Sequence, residues 1–184
     1  MRIPPTFAVA ALCAATVVAG CGAQSQSGGG SGITSGSQVR VVRVVDGDTI
    51  VVAGSKGNPS KVRYIGVDTP ETVKPNTPVQ CFGKKASALN KKMVAGRMVI
   101  LQFDRERTDR YGRLLAYVKR SDGLEVNAQL LALGAARTME IQPNTSRASS
   151  FRQIQSQARR SGKGLWKECF TQQSSRSSLV LSTE

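Results

Sequence analysis

The sequence predicts an α+β domain: a five-stranded β-barrel with about three helices packed on it. Three observations carry this. Short β-branched runs are punctuated by turn residues, three stretches have helical apolar spacing, and the two kinds follow one another in a set order. Residues 41–45, 49–53 and 61–67 are the first such runs, with Asp46-Gly47 and the stretch from Gly54 to Pro59 as turns between them, so three strands linked by hairpins are expected. A helix follows, because Phe82, Ala86, Leu89 and Met93 form one apolar stripe with Lys84, Lys85, Lys91 and Lys92 on the wet side. Gly96 ends it. Two more strands are expected over 98–103 and 113–118. Val126, Leu130 and Leu133 mark a second helix stopped by Gly134; Phe151, Ile154 and Ala158 mark a third, with Thr145 or Ser146 as its cap. Five strands interrupted and followed by helices are the pattern of an OB-type barrel.

The two ends of the chain read differently from this body. Residues 1–20 have a basic start at Arg2, an apolar run from Phe7 to Val18 and small residues before Cys21, the layout of a signal peptide and too short to span a membrane. Val18-Ala19-Gly20-Cys21 resembles the bacterial lipobox, in which the Cys is lipidated and becomes the first mature residue; the alternative is an ordinary cleaved signal that leaves Cys21 a free thiol. Residues 21–38 are this Cys and a Gly/Ser-rich linker of tether composition. The folded domain is expected over 39–170 and a Ser-rich disordered tail over 171–184. The protein is thus expected in the cell envelope, lipid-anchored outside the cytoplasmic membrane or partly released, as a monomer.

Lys and Arg number 26 against 12 acids, a formal charge of +14. Such an excess points to an anionic partner (nucleic acid, anionic lipid or an acidic wall polymer), or only to a basic soluble surface. There is no histidine, which excludes His-dependent triads, Cys-His dyads and imidazole metal sites. Any catalysis must therefore run on carboxylates, Arg, Lys, Tyr or a metal held by oxygen. Cys81 and Cys169 are expected to bridge after export, since thiol-poor compartments favour pairing; two buried free thiols are the alternative.

Three clusters carry chemistry when taken together. Asp46-Gly47-Asp48-Thr49 alone is a hairpin turn, and Asp68-Thr69-Pro70-Glu71 alone is a strand exit. Asp109-Arg110-Tyr111-Gly112-Arg113 alone is a charged hairpin tip. Alternation along 61–67 puts Arg63, Ile65 and Val67 on one face, and an inward Arg is costly unless it meets an anion. Asp48, Asp68 and the carbonyl of Thr69 offer only hard oxygens, which suit Ca²⁺ or Mg²⁺ rather than zinc. Glu71 is placed to take a proton from an attacking water, and Arg63 and Arg113 can each present a planar fork to a phosphate.

The segments VVDGDTI, VRYIGVDTPE, FGKKASALNKKMV, RTDRYGRLLAYV and EVNAQLLALGAAR, then QPN and GLW, run in the order seen in staphylococcal nuclease, which this chain resembles from about Val41 to Trp166. The resemblance implies an OB-fold nuclease that cleaves DNA and RNA to 3′-phosphate products with Ca²⁺. It implies Asp48, Asp68 and the Thr69 carbonyl as calcium ligands with Asp46 close by, Arg63, Glu71 and Arg113 as catalytic residues, and Arg110 and Tyr111 as nucleotide contacts. One departure stands before Pro143-Asn144: Met139 and Ile141 occupy positions where the family's best-known member has two tyrosines lining its base pocket. Two other readings compete. A copy of the fold that only binds nucleic acid should have lost the acids and arginines named above, which are all present; an adhesion module for lipid or wall polymer has no use for Asp48, Asp68 and Glu71.

Overall fold

The computed structural model describes residues 32–169 apart from 55–57, 73, 74 and 76. Apolar side chains at every second strand position close a barrel around themselves. Its strands are β1 (Gln38–Val44), β2 (Thr49–Ala53), β3 (Pro59–Tyr64), β5 (Met98–Gln102) and β6 (Leu114–Arg120), hydrogen-bonded in the order β1-β2-β3-β6-β5 and closed. Only the β3–β6 seam is parallel; the other pairs are antiparallel. Val39, Val41, Ile50, Val52, Val62, Tyr64, Val99 and Leu101 are buried in the core. A bulge between Val41 and Arg43 gives β1 one extra residue, which leaves Val42 exposed and explains why the run 41–45 does not alternate simply. The OB-type α+β class expected from the sequence is the fold observed.

The single strand expected over 61–67 is two. β3 stops at Tyr64 and a second strand, β4 (Gly66–Asp68), pairs with β7 (Arg137–Met139) in a separate two-stranded sheet. The break is local chemistry: Gly66 has φ +77°, and a Cβ there would lie 2.8 Å from the Phe151 ring. The turn resets the alternation. Val62 and Tyr64 fill the barrel, so Arg63 lies outside it rather than on an inner face shared with Ile65 and Val67. β7 was not expected, since three residues give no period to read.

Helix α1 (Gly83–Val94) packs its buried Ala86 and Met93 on the barrel, with Leu89 and Phe82 partly covered. α2 (Val126–Ala132) and α3 (Ala148–Arg160) follow, meeting each other and, for α2, β6. The cap expected for α3 is displaced. Its N-cap is Arg147, without a side-chain bond, because the Ser146 hydroxyl and amide are taken by Asp104 Oδ2 at 2.8 and 3.1 Å. The folded body also begins before residue 39. Ile33 is buried in the core and Gly36 N donates to Leu101 O at 2.8 Å, so the last apolar residue of the linker is drawn into the domain. Cys81 and Cys169 form a disulfide with Cα atoms 5.8 Å apart, closing a separation of 88 residues; in the chain-entropy model such a loop is worth about 4 to 5 kcal/mol. The signal segment, Cys21, the tail over 171–184 and most of the turn between Gly54 and Pro59 lie outside the described residues. Among the described residues no helix is long and apolar enough to cross a membrane.

Two buried asparagines stitch helices to the barrel. Asn127 of α2 accepts from Val118 N of β6 at 2.9 Å and donates to Ile65 O, at the β3–β4 break, at 2.8 Å. Asn90 of α1 accepts from Tyr64 OH at 3.0 Å and donates to Asp46 O at 2.9 Å. Removing Asn127 orphans a buried donor and a buried acceptor at once. Asn127→Ala is expected to lower unfolding free energy by about 3 kcal/mol, measured by urea denaturation; a loss under about 1 kcal/mol would mean that water replaces the amide.

Candidate active site

The Asp46-Gly47-Asp48 turn between β1 and β2 folds back on the end of β4. Gly47 permits this, because a Cβ there would lie 2.6 Å from Thr69 Oγ1. Asp48 is buried, and both its oxygens are used. Oδ2 accepts from Thr69 N at 2.8 Å and Thr69 Oγ1 at 3.0 Å. Oδ1 accepts from Thr49 Oγ1 at 3.1 Å and faces Arg63 Nε at 3.2 Å. Asp46 Oδ1 accepts from the Asp48 amide at 3.0 Å.

Arg63 ties this turn to Asp68. Its Nη2 lies 3.2 Å from Asp68 Oδ1 while Nη1 donates to the carbonyls of Tyr64 and Val67, each at 2.7 Å. One guanidinium thus spans two carboxylates and caps the carbonyls at the β3–β4 break. That is how an arginine outside the barrel still finds anions. A single positive charge does not neutralise the corner. Burial first, then the neighbouring Asp48, pushes Asp46 up to about 6. Burial likewise raises Asp68; Arg63 works against this, and Asp48 and Glu71 add to it. The donor set is oxygen only. Among the described residues no group of three or more His, Cys, Asp or Glu side chains forms a metal cluster. Asp48 and Asp68 are the side chains here that could hold a cation, and their oxygens suit a hard one.

Glu71 is not part of the cleft wall but stands close enough for its charge to act on Asp68. Its Oε1 accepts from Thr72 N at 2.8 Å. Gln80 holds its backbone twice: Glu71 N donates to Gln80 Oε1 and Gln80 N donates to Glu71 O, both at 3.0 Å. Gln80 adjoins Cys81, so the residue that holds the Glu71 backbone is itself next to the disulfide and the start of α1. Sequence reasoning missed Gln80, and nothing in Pro78-Val79-Gln80-Cys81 signals it.

The third cluster faces Arg63 and the β3–β4 break, residues 63–67, across a cleft of about 480 Å³. Asp109 organises the tip, a role its place in the sequence did not reveal. Its Oδ1 accepts from Tyr111 N at 2.9 Å and Arg113 N at 3.0 Å, and its Oδ2 from Arg113 Nε at 2.7 Å. Arg110 donates to Tyr111 OH at 2.8 Å, and the guanidinium groups of Arg110 and Arg113 lie over the Tyr111 ring at 4.9 and 5.4 Å. Arg63, Arg110, Tyr111 and Arg113 all line the cleft, as do Met139 and Ile141. Those two are 40% and 60% exposed, so they are walls of the cleft rather than core packing. Asn144 closes the far side, exchanging two 2.8 Å bonds with the backbone of Glu106.

The structure thus sets an OB-type barrel with an acidic corner, Asp48 and Asp68 tied together by Arg63, next to a cleft that Arg63 shares with Arg110, Tyr111 and Arg113, while Glu71 stands outside the cleft wall. That defines a class of protein acting on an anionic substrate. Residues 61–168 match the family model described as staphylococcal nuclease homologue. A thermonuclease of Staphylococcus hyicus is 45% identical over 127 residues, covering 69% of this chain and 74% of the relative. A thermonuclease of Staphylococcus intermedius is 45% identical over 131 residues, 71% and 77% respectively. The endonuclease YncB of Bacillus subtilis (strain 168) is 44% identical over 130 residues, 70% of this chain and 61% of that protein. The chain belongs to the staphylococcal nuclease family, and it is a nuclease.

The tip has a pH signature. Burial works to raise the Asp109 pKa, but the hydrogen bonds from Arg113 and Tyr111 outweigh it and hold the pKa below its ordinary value of 3.8. A carboxylate with a depressed folded pKa gives its full stabilisation above the unfolded value and loses it as pH falls through the folded one. Asp109→Asn is therefore expected to melt below wild type at neutral pH, with the gap in Tm closing below about pH 4. Thermal melts at descending pH check this; a gap that is the same at all pH values would remove the carboxylate charge from the tip's stability.

Proposed function

We propose that the chain is a calcium-dependent nuclease that hydrolyses DNA and RNA to 3′-phosphate products, held outside the cytoplasmic membrane by a lipid on Cys21. The observation that carries the catalytic part is the placement of Arg63 and Arg113 on one cleft, with Asp48 and Asp68 bridged by Arg63 at its edge. A bound Ca²⁺, held by Asp48, Asp68 and the Thr69 carbonyl, would supply Lewis-acid polarisation of the phosphate. The chain's own residues do the rest. Arg113, steadied through its Nε by Asp109, presents its Nη groups to the phosphate, and Arg63, whose donors are held by Asp48, Asp68 and two carbonyls, adds its charge at the cleft wall; both offset the charge that builds in a five-coordinate transition state. Glu71 takes the proton of the attacking water, its backbone held by Gln80. Arg110 and Tyr111 form the exposed lip on which the nucleotide rests. Tyr111 offers a stacking face that accepts any base, and the replacement of polar partners by Met139 and Ile141 suits loose base selectivity.

A binding-only copy of the fold is disfavoured by the retention of every acid and arginine of the set. The test uses mature protein and plasmid DNA with Ca²⁺, Mg²⁺ or EDTA. Cleavage is expected with Ca²⁺ and not with EDTA, and Glu71→Gln should cut turnover at least about a hundredfold while leaving DNA affinity in place. Undiminished cleavage in EDTA removes the metal, and turnover within about threefold of wild type removes Glu71 as the base.

The localisation rests on the signal-like residues 1–20, the lipobox-like tetrapeptide ending at Cys21 and the linker composition up to residue 38, followed by the domain over 39–170 and the tail over 171–184. A diacylglyceryl group on Cys21 carries two acyl chains, which is what stable anchoring takes, and among the described residues no helix is long and apolar enough to cross a membrane. Cys21→Ala is expected to move the protein from the membrane to the soluble fraction and remove a lipid-sized mass; unchanged fractionation would point to another attachment.

A further inference from the structure

Among the described residues, carboxylates neutralise a defined subset of the arginines. Arg63, Arg113, Arg120, Arg147 and Arg152 each have an acidic partner. Arg137 and Arg159, like Arg40, Arg43, Arg97, Arg110 and Arg160, form no ion pair among the described residues, and both are exposed; what sets the two apart is a shared aromatic ring. They come from different elements, β7 and the last turn of α3, yet converge on the ring of Trp166, with guanidinium carbons 5.6 and 5.5 Å from its centre. Aromatic faces hold guanidinium groups while leaving their N–H edges available.

The convergence begins at the acidic corner. Arg137 is the register partner of Asp68, and its charge acts on that carboxylate. On the same strand, Met139 lines the cleft and receives Arg63 Nη2 at 3.7 Å. Alternation puts Arg137 and Met139 on one face, roughly 7 Å apart along the strand. A chain leaving the cleft past Met139 therefore meets Arg137 next and then Arg159. We propose that Arg137 and Arg159, displayed by Trp166, form a second phosphate-binding track. It would take the backbone of a single-stranded polynucleotide beyond the scissile phosphate, past Met139. The proposal rests on the nuclease reading above, and it makes substrate length, rather than base identity, the property this face selects.

Trp166 is the only tryptophan of the chain, so the track carries its own reporter. Binding is measured in EDTA, where cleavage is not required. A single-stranded DNA of about 12 nucleotides is expected to change Trp166 emission, whereas a mononucleotide, which fills the cleft alone, is not. Arg137→Ala/Arg159→Ala should weaken that oligonucleotide roughly tenfold and lower the slope of log K against log salt by about 1.4, two single-strand phosphate contacts. Arg137→Lys/Arg159→Lys should keep most of the slope, which a purely structural role for the stacked guanidinium groups would not predict. With Ca²⁺, KM should rise for long substrates and not for dinucleotides, so that any effect of Arg137 on Asp68, which is common to both, cancels in the comparison. Equal affinity and slope with and without the two arginines overturns the track while leaving the nuclease reading in place. A wild-type protein that binds no oligonucleotide strikes at the nuclease reading itself. If phosphatidylglycerol vesicles rather than DNA move the Trp166 emission, the face is a lipid surface and the track is wrong.

Discussion

A buried carboxylate sits where the rest of the molecule must organise around it. Asp48 is 6% exposed, and a polar side chain at that depth is tolerated only with its oxygens hydrogen-bonded. Its partners come from three places in the chain: Thr49 at the start of β2, Arg63 near the end of β3 and Thr69 just past β4. The side chain that offers chemistry therefore also holds β2, β3 and β4 at one point. Stability and chemistry are not separable at this corner, because the contacts that keep Asp48 inside the fold also set where Asp68 and Thr69 lie.

Arg63 shows the same economy. Its donors are spread over two carboxylates and two carbonyls, so it closes the β3–β4 break and bridges the acids in one gesture. A lysine, with a single compact charge, has no geometry for that span. The arginine is thus fixed before any substrate arrives, and the site is preorganised by its own ion pairs rather than by a ligand.

How much of this could be read from the sequence depends on the range of the interaction. The barrel and the three helices follow from local periodicity, and the acidic and basic clusters are visible because each is short and contiguous. What escaped involves single residues acting at a distance. Gln80 steadies Glu71 from nine positions away, and Asn90 reaches Asp46 across 44; neither lies in a pattern. The β3–β4 break depends on Gly66 meeting Phe151, a contact that no window around residue 66 contains. The α3 cap failed for the same reason, since Asp104 claims Ser146 from 42 residues away. Met139 and Ile141, by contrast, stand on the cleft wall where the family resemblance put them, apolar in place of tyrosine.

The bridge between Cys81 and Cys169 makes a covalent ring of everything from the start of α1 to the last helical turn. That ring holds α1, both later barrel strands, all of the 109–113 tip, α2, β7 and α3, while Asp48, Arg63, Asp68 and Glu71 lie on the open segment before it. A single peptide bond broken by a protease in any loop of the ring leaves two fragments still joined through sulfur. The two walls of the cleft are therefore not equally exposed to that damage: a nick near the tip opens the ring without releasing either half, whereas a cut before residue 81 detaches the acids from the rest, leaving only packing to keep them in place.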